Sequence, residues 1–104
     1  MTLSVAMPLG QIVASRKGRD QDQLYVVVGY GNSPFILVAD GRNRKAAAPK
    51  KKNVRHVKPM GSIAQNVAHK LERDGKVTDE ELRQAISELY TPDGFVKKRT
   101  RREI

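Results

Sequence analysis

Lysines and arginines are the residues of this chain best suited to bind a ligand, and they lie in three groups. The first group is Arg16, Lys17 and Arg19; the central group is Arg42, Arg44, Lys45, Lys50, Lys51, Lys52, Arg55 and Lys58; the third group is Lys97, Lys98, Arg99, Arg101 and Arg102. An Arg guanidinium can hold a phosphate through parallel hydrogen bonds, and a Lys ammonium acts as a point charge. Such contacts release counterions, so the groups predict salt-sensitive, largely sequence-independent binding to nucleic acid.

The distribution of charge supports this interpretation. Twenty Lys and Arg oppose eleven Asp and Glu, giving a net charge of +9. Residues 1–60 hold eleven cations and three anions, residues 61–90 four and six, and residues 91–104 five and two. Clustering of this kind is typical of a surface that faces nucleic acid or anionic lipid. A solubilising surface is the alternative, but solubility alone does not require the cations to cluster.

Catalysis needs a convergent set of titratable groups, and the sequence does not provide one. The acidic residues near position 20 fall in a turn and those near position 80 at a helix start, where acids are common for structural reasons. We therefore expect no enzymatic activity and no catalytic residue. His56 could contact phosphate or stack on a base, and a structural strand histidine is the alternative. His69 is expected to be an exposed or packing residue of a helix.

Other ligand classes are excluded by composition. The chain has no cysteine and two histidines, so neither a disulfide framework nor a Cys/His zinc site can form. No apolar run approaches the length of a membrane span, and residues 1–9 lack the basic-then-apolar pattern of a secretory signal. We expect a cytoplasmic protein with no metal, no cofactor and no membrane partner.

Short strands bent at glycines are expected to position the basic groups. Runs rich in β-branched residues, with apolar–polar alternation, predict strands at residues 11–15, 24–30, 35–39, 42–46 and 54–58. The three consecutive valines at 26–28 are typical of a strand covered on both faces. Residues 47–52 are expected to break regular structure. Five short strands of this kind predict a small closed barrel over residues 9–59.

Residues 60–90 have a different, helical periodicity. Ser62 is the predicted N-cap of a first helix, with Gln65 three residues later, and Asp74-Gly75 ends that helix. Thr78 and Glu81 predict a second capping box, and the apolar stripes of both helices are expected to pack against the barrel. This predicts a helical hairpin over 60–90, followed by a basic flexible tail over 91–104.

Two stretches resemble a known family. Gly10, Val13, Lys17-Gly18-Arg19 and the apolar run at 24–28 resemble the KOW motif. The run from Phe35 to Asp40-Gly41, followed by Lys50-Lys-Lys-Asn-Val-Arg-His-Val57, is similar to bacterial KOW-domain RNA-binding proteins akin to the L-fourteen-e ribosomal proteins. The resemblance covers about residues 9–59. It implies an SH3-like barrel that binds RNA, above all ribosomal RNA, without enzymatic activity.

These observations predict a mainly β protein with C-terminal helices, namely a five-stranded SH3-like (KOW) barrel followed by an αα-hairpin. Its predicted function is non-enzymatic docking on structured RNA, ribosomal RNA or the ribosome, as in ribonucleoproteins of translation. The predicted RNA-binding residues are Arg16, Lys17, Arg19, Arg42, Arg44, Lys45, Lys50, Lys51, Lys52, Arg55, His56 and Lys58. Few aromatic residues are available for stacking, which favours recognition of RNA backbone and shape over bases. The alternatives are a protein-interaction module of the translation or transcription machinery that uses the helical hairpin, and, less favoured, a DNA-binding protein.

Overall fold

A computed structural model describes residues 7–16, 18 and 23–89 of the chain, apart from the side chain of Leu89. Within these residues the elements are β1 (Gln11–Ser15), β2 (Leu24–Tyr30), β3 (Phe35–Ala39), β4 (Lys50–Asn53), a 3-10 turn (Val54–His56), β5 (Val57–Ile63), α1 (Gln65–Asp74) and α2 (Asp79–Leu89). The strands form one antiparallel sheet in the order β4-β3-β2-β1-β5. A mainly β architecture with C-terminal helices is confirmed, and it fits a small barrel-like domain.

Both faces of the central strands are buried. On the inner face Val13, Val27 and Val38 pack together with neighbouring apolar side chains. On the outer face Ile12 and Val26 pack with residues of the two helices. Because successive side chains of a strand point to opposite faces, a run of valines can serve both clusters. The prediction of a strand covered on both faces is therefore confirmed for β2.

The first three predicted strands are confirmed with their predicted bounds, but the fourth is wrong. Residues 42–46 form bends and a turn rather than a strand. The backbone N–H groups of Arg42 and Arg44 donate to the side chain of Asp40, so they are not available for a strand ladder. The fourth strand is instead Lys50–Asn53, which pairs with β3 in register Ile36↔Lys52, within the stretch expected to break regular structure.

The fifth predicted strand, residues 54–58, is wrong in its first half and too short. Val54–His56 is a 3-10 turn capped by the side chain of Asn53, which accepts from the backbone N–H of Arg55. β5 then continues from Val57 to Ile63 through Pro59. Proline cannot donate to a ladder, and it is tolerated here because β5 is an edge strand.

The extended β5 also corrects the start of the first helix. Ser62 lies in β5 and is not an N-cap; the N-cap is Ala64, whose side chain makes no capping hydrogen bond. The predicted end of α1 is confirmed, since Gly75 adopts a left-handed conformation and its N–H donates to the Leu71 carbonyl. The predicted basic tail over 91–104 lies outside the described residues.

The second capping box is confirmed by reciprocal hydrogen bonds. The Thr78 hydroxyl accepts from the Glu81 N–H at 3.1 Å, and the Glu81 carboxylate accepts from the Thr78 N–H at 2.8 Å. One turn later Leu82 is fully buried in the outer-face cluster. The helices therefore cover the outer face of the sheet.

Candidate nucleic-acid interface

One end of the sheet collects the basic loops. β1 and β3 run in the same direction, so the chain leaves both strands at the same end, and the register pairs Ser15 with Val57 and Val38 with Lys50. Residue 16 after β1, residue 23 before β2, the loop 40–49 and the starts of β4 and β5 consequently lie there. We call this region the basic end, comprising residues 16, 23, 40–50 and 55–58.

Asp40 connects the two loops of the basic end. Its side chain is buried, with 2% of its surface exposed. One carboxylate oxygen accepts from the backbone N–H groups of Arg42 and Arg44, both at 2.9 Å. The other accepts from the Gln23 amide nitrogen at 2.8 Å, and the Gln23 amide oxygen accepts from Asn43 at 3.4 Å. The Asp40 carboxylate therefore fixes the backbone that carries two of the predicted cations.

The predicted RNA-binding residues differ in exposure. Exposed side chains are those of Arg16, Arg42, Lys45, Lys51, Arg55 and Lys58, and half-buried side chains are those of Arg44, Lys50 and His56. Lys17 and Arg19 lie outside the described residues. The exposed members supply charge that a polyanion in solution can reach.

The start of β5 joins the first and central groups. The backbone N–H of Arg16 donates to the carbonyl of His56 at 2.8 Å. Arg55 and His56 are the last two residues of the 3-10 segment. Arg16, Arg55 and Lys58 are therefore grouped by the β1–β5 pairing rather than by their positions in sequence.

Lys52 occupies a different environment from its neighbours. Only 8% of its surface is exposed, and its ammonium donates to the Ser15 hydroxyl at 2.8 Å. β4 and β1 are not adjacent in the sheet order, so this hydrogen bond crosses the inside of a curled sheet. Lys52 therefore connects the two sides of the sheet, and its side chain is not at the surface with the other cations.

Lys51 points to the other side of β4. Its ammonium lies 5.4 Å from the centroid of the Phe35 ring, a cation–π contact. Phe35 begins β3, whereas Asp40 follows the end of that strand. The exposed Lys51 is consequently directed toward the end of β3 opposite Asp40.

The loop 40–49 rests on the start of α2, which sequence reasoning missed. The Arg83 guanidinium donates to the Gly41 carbonyl at 2.8 Å, and the Ala46 N–H donates to the Asp79 carboxylate at 2.7 Å. Gly41 has φ +78°, and a Cβ there would clash with the Asp79 carbonyl oxygen. No local pattern reveals these contacts, because they join residues about forty positions apart.

Two other site types find no support in the described part of the chain. Among those residues, no cluster of three or more His, Cys, Asp or Glu side chains is placed to hold a metal ion. Within the same residues, none of the helices combines the length and the apolar character needed to cross a membrane.

The fold and the site define a small mainly β protein whose basic loops meet at one end of its sheet. No protein-family model matches the chain. Over 71 residues it is 31% identical to the Bacillus subtilis (strain 168) protein named "Putative ribosome-binding protein YbzG", and the alignment covers 68% of this chain and 96% of that protein. The chain therefore belongs to the family of that protein. This confirms the expected resemblance at the level of a ribosome-associated family.

Proposed function

We propose that this protein is a non-enzymatic RNA-binding protein that docks on structured ribosomal RNA through its basic end. The observation that carries the proposal is the connection of two basic loops through the buried Asp40 and Gln23. A fixed arrangement of cations suits the regular spacing of phosphates on folded RNA better than independent loops would. The name of the Bacillus subtilis relative supports the ribosome as the partner, and with it a cytoplasmic location.

We further infer that the sheet is an SH3-like barrel of the KOW type, related to the L-fourteen-e proteins. The strand order, the burial of both faces of β2 and the 3-10 turn before β5 support this assignment. The hydrogen bond from Lys52 to Ser15 supports it as well, since only a strongly curled sheet brings β4 across to β1.

Recognition is expected to use RNA backbone and shape. Of the described aromatic residues, Tyr25 is buried, and Tyr30 and Phe35 lie at the end of their strands opposite the basic end. Single-strand readers stack bases on exposed aromatic rings, and the basic end has only the half-buried His56 for that purpose. Arg42, Lys45 and their exposed neighbours instead favour phosphate contacts.

The test compares two double charge reversals in the full chain. Arg42→Glu with Lys45→Glu changes the basic end, and Arg73→Glu with Lys76→Glu is the matched control, because each pair is one exposed Arg and one exposed Lys. Binding to purified ribosomal RNA is measured across a salt series. The basic-end variant should bind more weakly. The slope of log K against log salt should become less negative by roughly 0.7 to 0.9 for each lost phosphate contact.

The control should retain both the affinity and the salt slope of the natural protein. Equal losses in the two variants would mean that only net charge matters, and no loss in either would contradict the assignment of the basic end. Lys52 is left unchanged in these variants, because its replacement would disturb the inside of the sheet.

A protein-interaction role of the two helices is the second candidate function. A groove between these helices favours it, and the groove has a chemistry different from that of the basic end.

A further inference from the structure

A groove of about 280 Å³ lies where β5 ends and the two helices meet. We call it the helical groove. It is lined by Ile63, Ala64, Gln65, Asn66, Val67, Glu81, Gln84, Ala85 and Glu88. Its volume lies just below the range of about 300 to 1,000 Å³ typical of small-molecule pockets, and it suits one or two side chains of a larger partner.

The apolar part of the groove includes an unusually exposed isoleucine. Ile63 is 38% exposed. Among the described residues, Ile63 and Tyr30 are the large hydrophobic residues that are exposed. The Tyr30 hydroxyl has a partner, since it donates to the Met7 carbonyl. Ile63 lies beside Val67 and Ala85 on the groove wall, so an apolar side chain placed there would cover it.

The charged residues of the groove have one sign. Glu81 and Glu88 are acidic, and the other seven lining residues are uncharged. Glu81 accepts from the Lys70 ammonium at 2.9 Å, whereas Glu88 accepts from the neutral amide of Gln84 at 3.2 Å. The hydrogen-bond donor to the Glu88 carboxylate is therefore a neutral amide rather than a cation. Such a rim attracts Lys or Arg side chains and repels phosphate.

The start of α1 adds a demand for hydrogen-bond acceptors. Ala64 provides no side-chain cap, so the first N–H groups of the helix, at the groove, depend on an external oxygen. A polypeptide supplies carbonyl oxygens as well as apolar and cationic side chains. It matches the apolar wall, the acidic rim and the uncapped helix start together, whereas a nucleic acid matches none of the acidic positions.

We propose that the helical groove binds a Lys- or Arg-rich polypeptide segment of another protein, with an apolar side chain against Ile63 and a cation beside Glu88. The groove and the basic end can be occupied at the same time. Ile63 pairs with Gln11 and Val57 pairs with Ser15 at the two ends of β1, about 13 Å apart along the strand. The protein would thereby join ribosomal RNA to a basic protein segment.

The experiment places a photo-crosslinking amino acid at Gln84 in the full chain expressed in cells. The crosslinked partner and the attached segment are identified by mass spectrometry. The expected result is attachment to a Lys- or Arg-rich segment of a protein, with the yield reduced several-fold by Glu88→Lys. Glu72→Lys is the matched control, because Glu72 is an exposed glutamate of α1 outside the groove, and it should leave the yield unchanged.

Four outcomes would overturn the proposal. They are attachment only to RNA, to a second copy of this chain or to residues 90–104 of the same molecule, and the absence of any attachment. Equal sensitivity to Glu88→Lys and Glu72→Lys would also count against it. Arg42→Glu with Lys45→Glu should preserve the crosslink, so failure of the groove assignment and failure of RNA binding at the basic end are distinguishable.

Discussion

The basic end and the two helices use charge in different ways. In the helices, cations and anions stand beside one another: Lys70 and Glu81 form an ion pair at 2.9 Å. At the basic end the anion Asp40 is buried and accepts from backbone N–H groups and an amide, while Arg42 and Lys45 are exposed. The charges of Lys70 and Glu81 thus contribute to the contact between the helices, whereas the charges of Arg42 and Lys45 are left available for a ligand.

The two regions are nevertheless in contact at one place. Gly41, in the basic loop, accepts a hydrogen bond from Arg83 and lies against Asp79 of α2. The helices can therefore act in two ways: they can merely cover the sheet, or they can also hold the loop 40–49 in position. Four changes address these alternatives.

The largest effect is expected from Leu82→Ala. Leu82 is fully buried with Ile12 and Val26 of the sheet, so truncation should lower the free energy of unfolding by about 2 to 5 kcal/mol. Urea unfolding followed by circular dichroism reports the helices. Tyrosine fluorescence reports the sheet through Tyr25 and Tyr30 of β2 when Tyr90→Phe is present in every protein compared. We expect both signals to change in one transition, because the outer-face cluster is shared.

Gln84→Ala is the control on the exposed side of the same helix. It should leave the urea concentration at the midpoint of unfolding nearly unchanged. Two separate transitions in the Leu82→Ala variant, with the fluorescence change unaffected, would show that the sheet and its basic end are stable without the helices.

The second effect isolates the contact between the regions. Gly41→Ala and Gly75→Ala both place a side chain at positive φ, +78° and +79°, which costs about 1 to 2 kcal/mol. At Gly41 the new Cβ would also clash with the Asp79 carbonyl oxygen, whereas at Gly75 nothing lies within 4 Å of it. Gly41→Ala should therefore be the more destabilising variant in thermal or urea unfolding. Equal decreases in the free energy of unfolding would mean that the loop 40–49 can move away from α2 without destabilising the protein.

The sequence predicted β1, β2 and β3 with their bounds because local preference and burial agree there. Ile, Val and Leu favour strands, and both sheet faces need apolar side chains. β4 could not be predicted in the same way, because three consecutive lysines have little strand preference. Its formation depends on pairing with β3, a contact between distant parts of the chain.

The candidate site was predictable as charge but not as geometry. The clustering of cations is visible in the sequence, yet the positions of Lys51 and Lys52 on opposite sides of β4 depend on strand register, which follows from long-range pairing. The dipeptide Asp40-Gly41 is typical of turns. Its further role as the acceptor for Gln23 could not be read from the sequence, because that hydrogen bond joins two separate loops.

The third change tests whether the arrangement of the basic end matters apart from its charge. Asp40→Ala removes the acceptor of three hydrogen bonds, and the free energy of unfolding should decrease by about 1 to 3 kcal/mol. RNA affinity at fixed salt should also fall in the folded variant, although no cation is lost and the net charge becomes more positive. Hydrogen exchange at the Arg42 and Arg44 amides should accelerate.

Asn43→Ala is the control, because it removes only the longer hydrogen bond to Gln23. It should change the free energy of unfolding, the RNA affinity and the hydrogen-exchange rates less than Asp40→Ala does. Higher RNA affinity in Asp40→Ala than in the natural protein would mean that charge alone governs binding and that the loops need no fixed arrangement.

The smallest effect concerns the pH dependence of the helices. The Thr78 backbone N–H, and then the Lys70 ammonium, lower the pKa of Glu81 from its usual value of 4.5. The unfolded chain therefore binds this proton at a higher pH than the folded protein does. The contribution of Glu81 is complete above the unfolded pKa and is lost as pH falls through the folded pKa.

Glu81→Gln should consequently flatten the decrease of the melting temperature between about pH 5 and pH 3. It keeps an oxygen that can accept from the Thr78 N–H but loses the charge beside Lys70. Glu80→Gln removes the same charge at the exposed neighbouring position and should not reproduce the flattening. If both variants flatten the pH dependence of the melting temperature equally, the helices respond to pH through their total charge. The hydrogen bonds of Glu81 with Thr78 and Lys70 would then make no specific contribution to the free energy of unfolding.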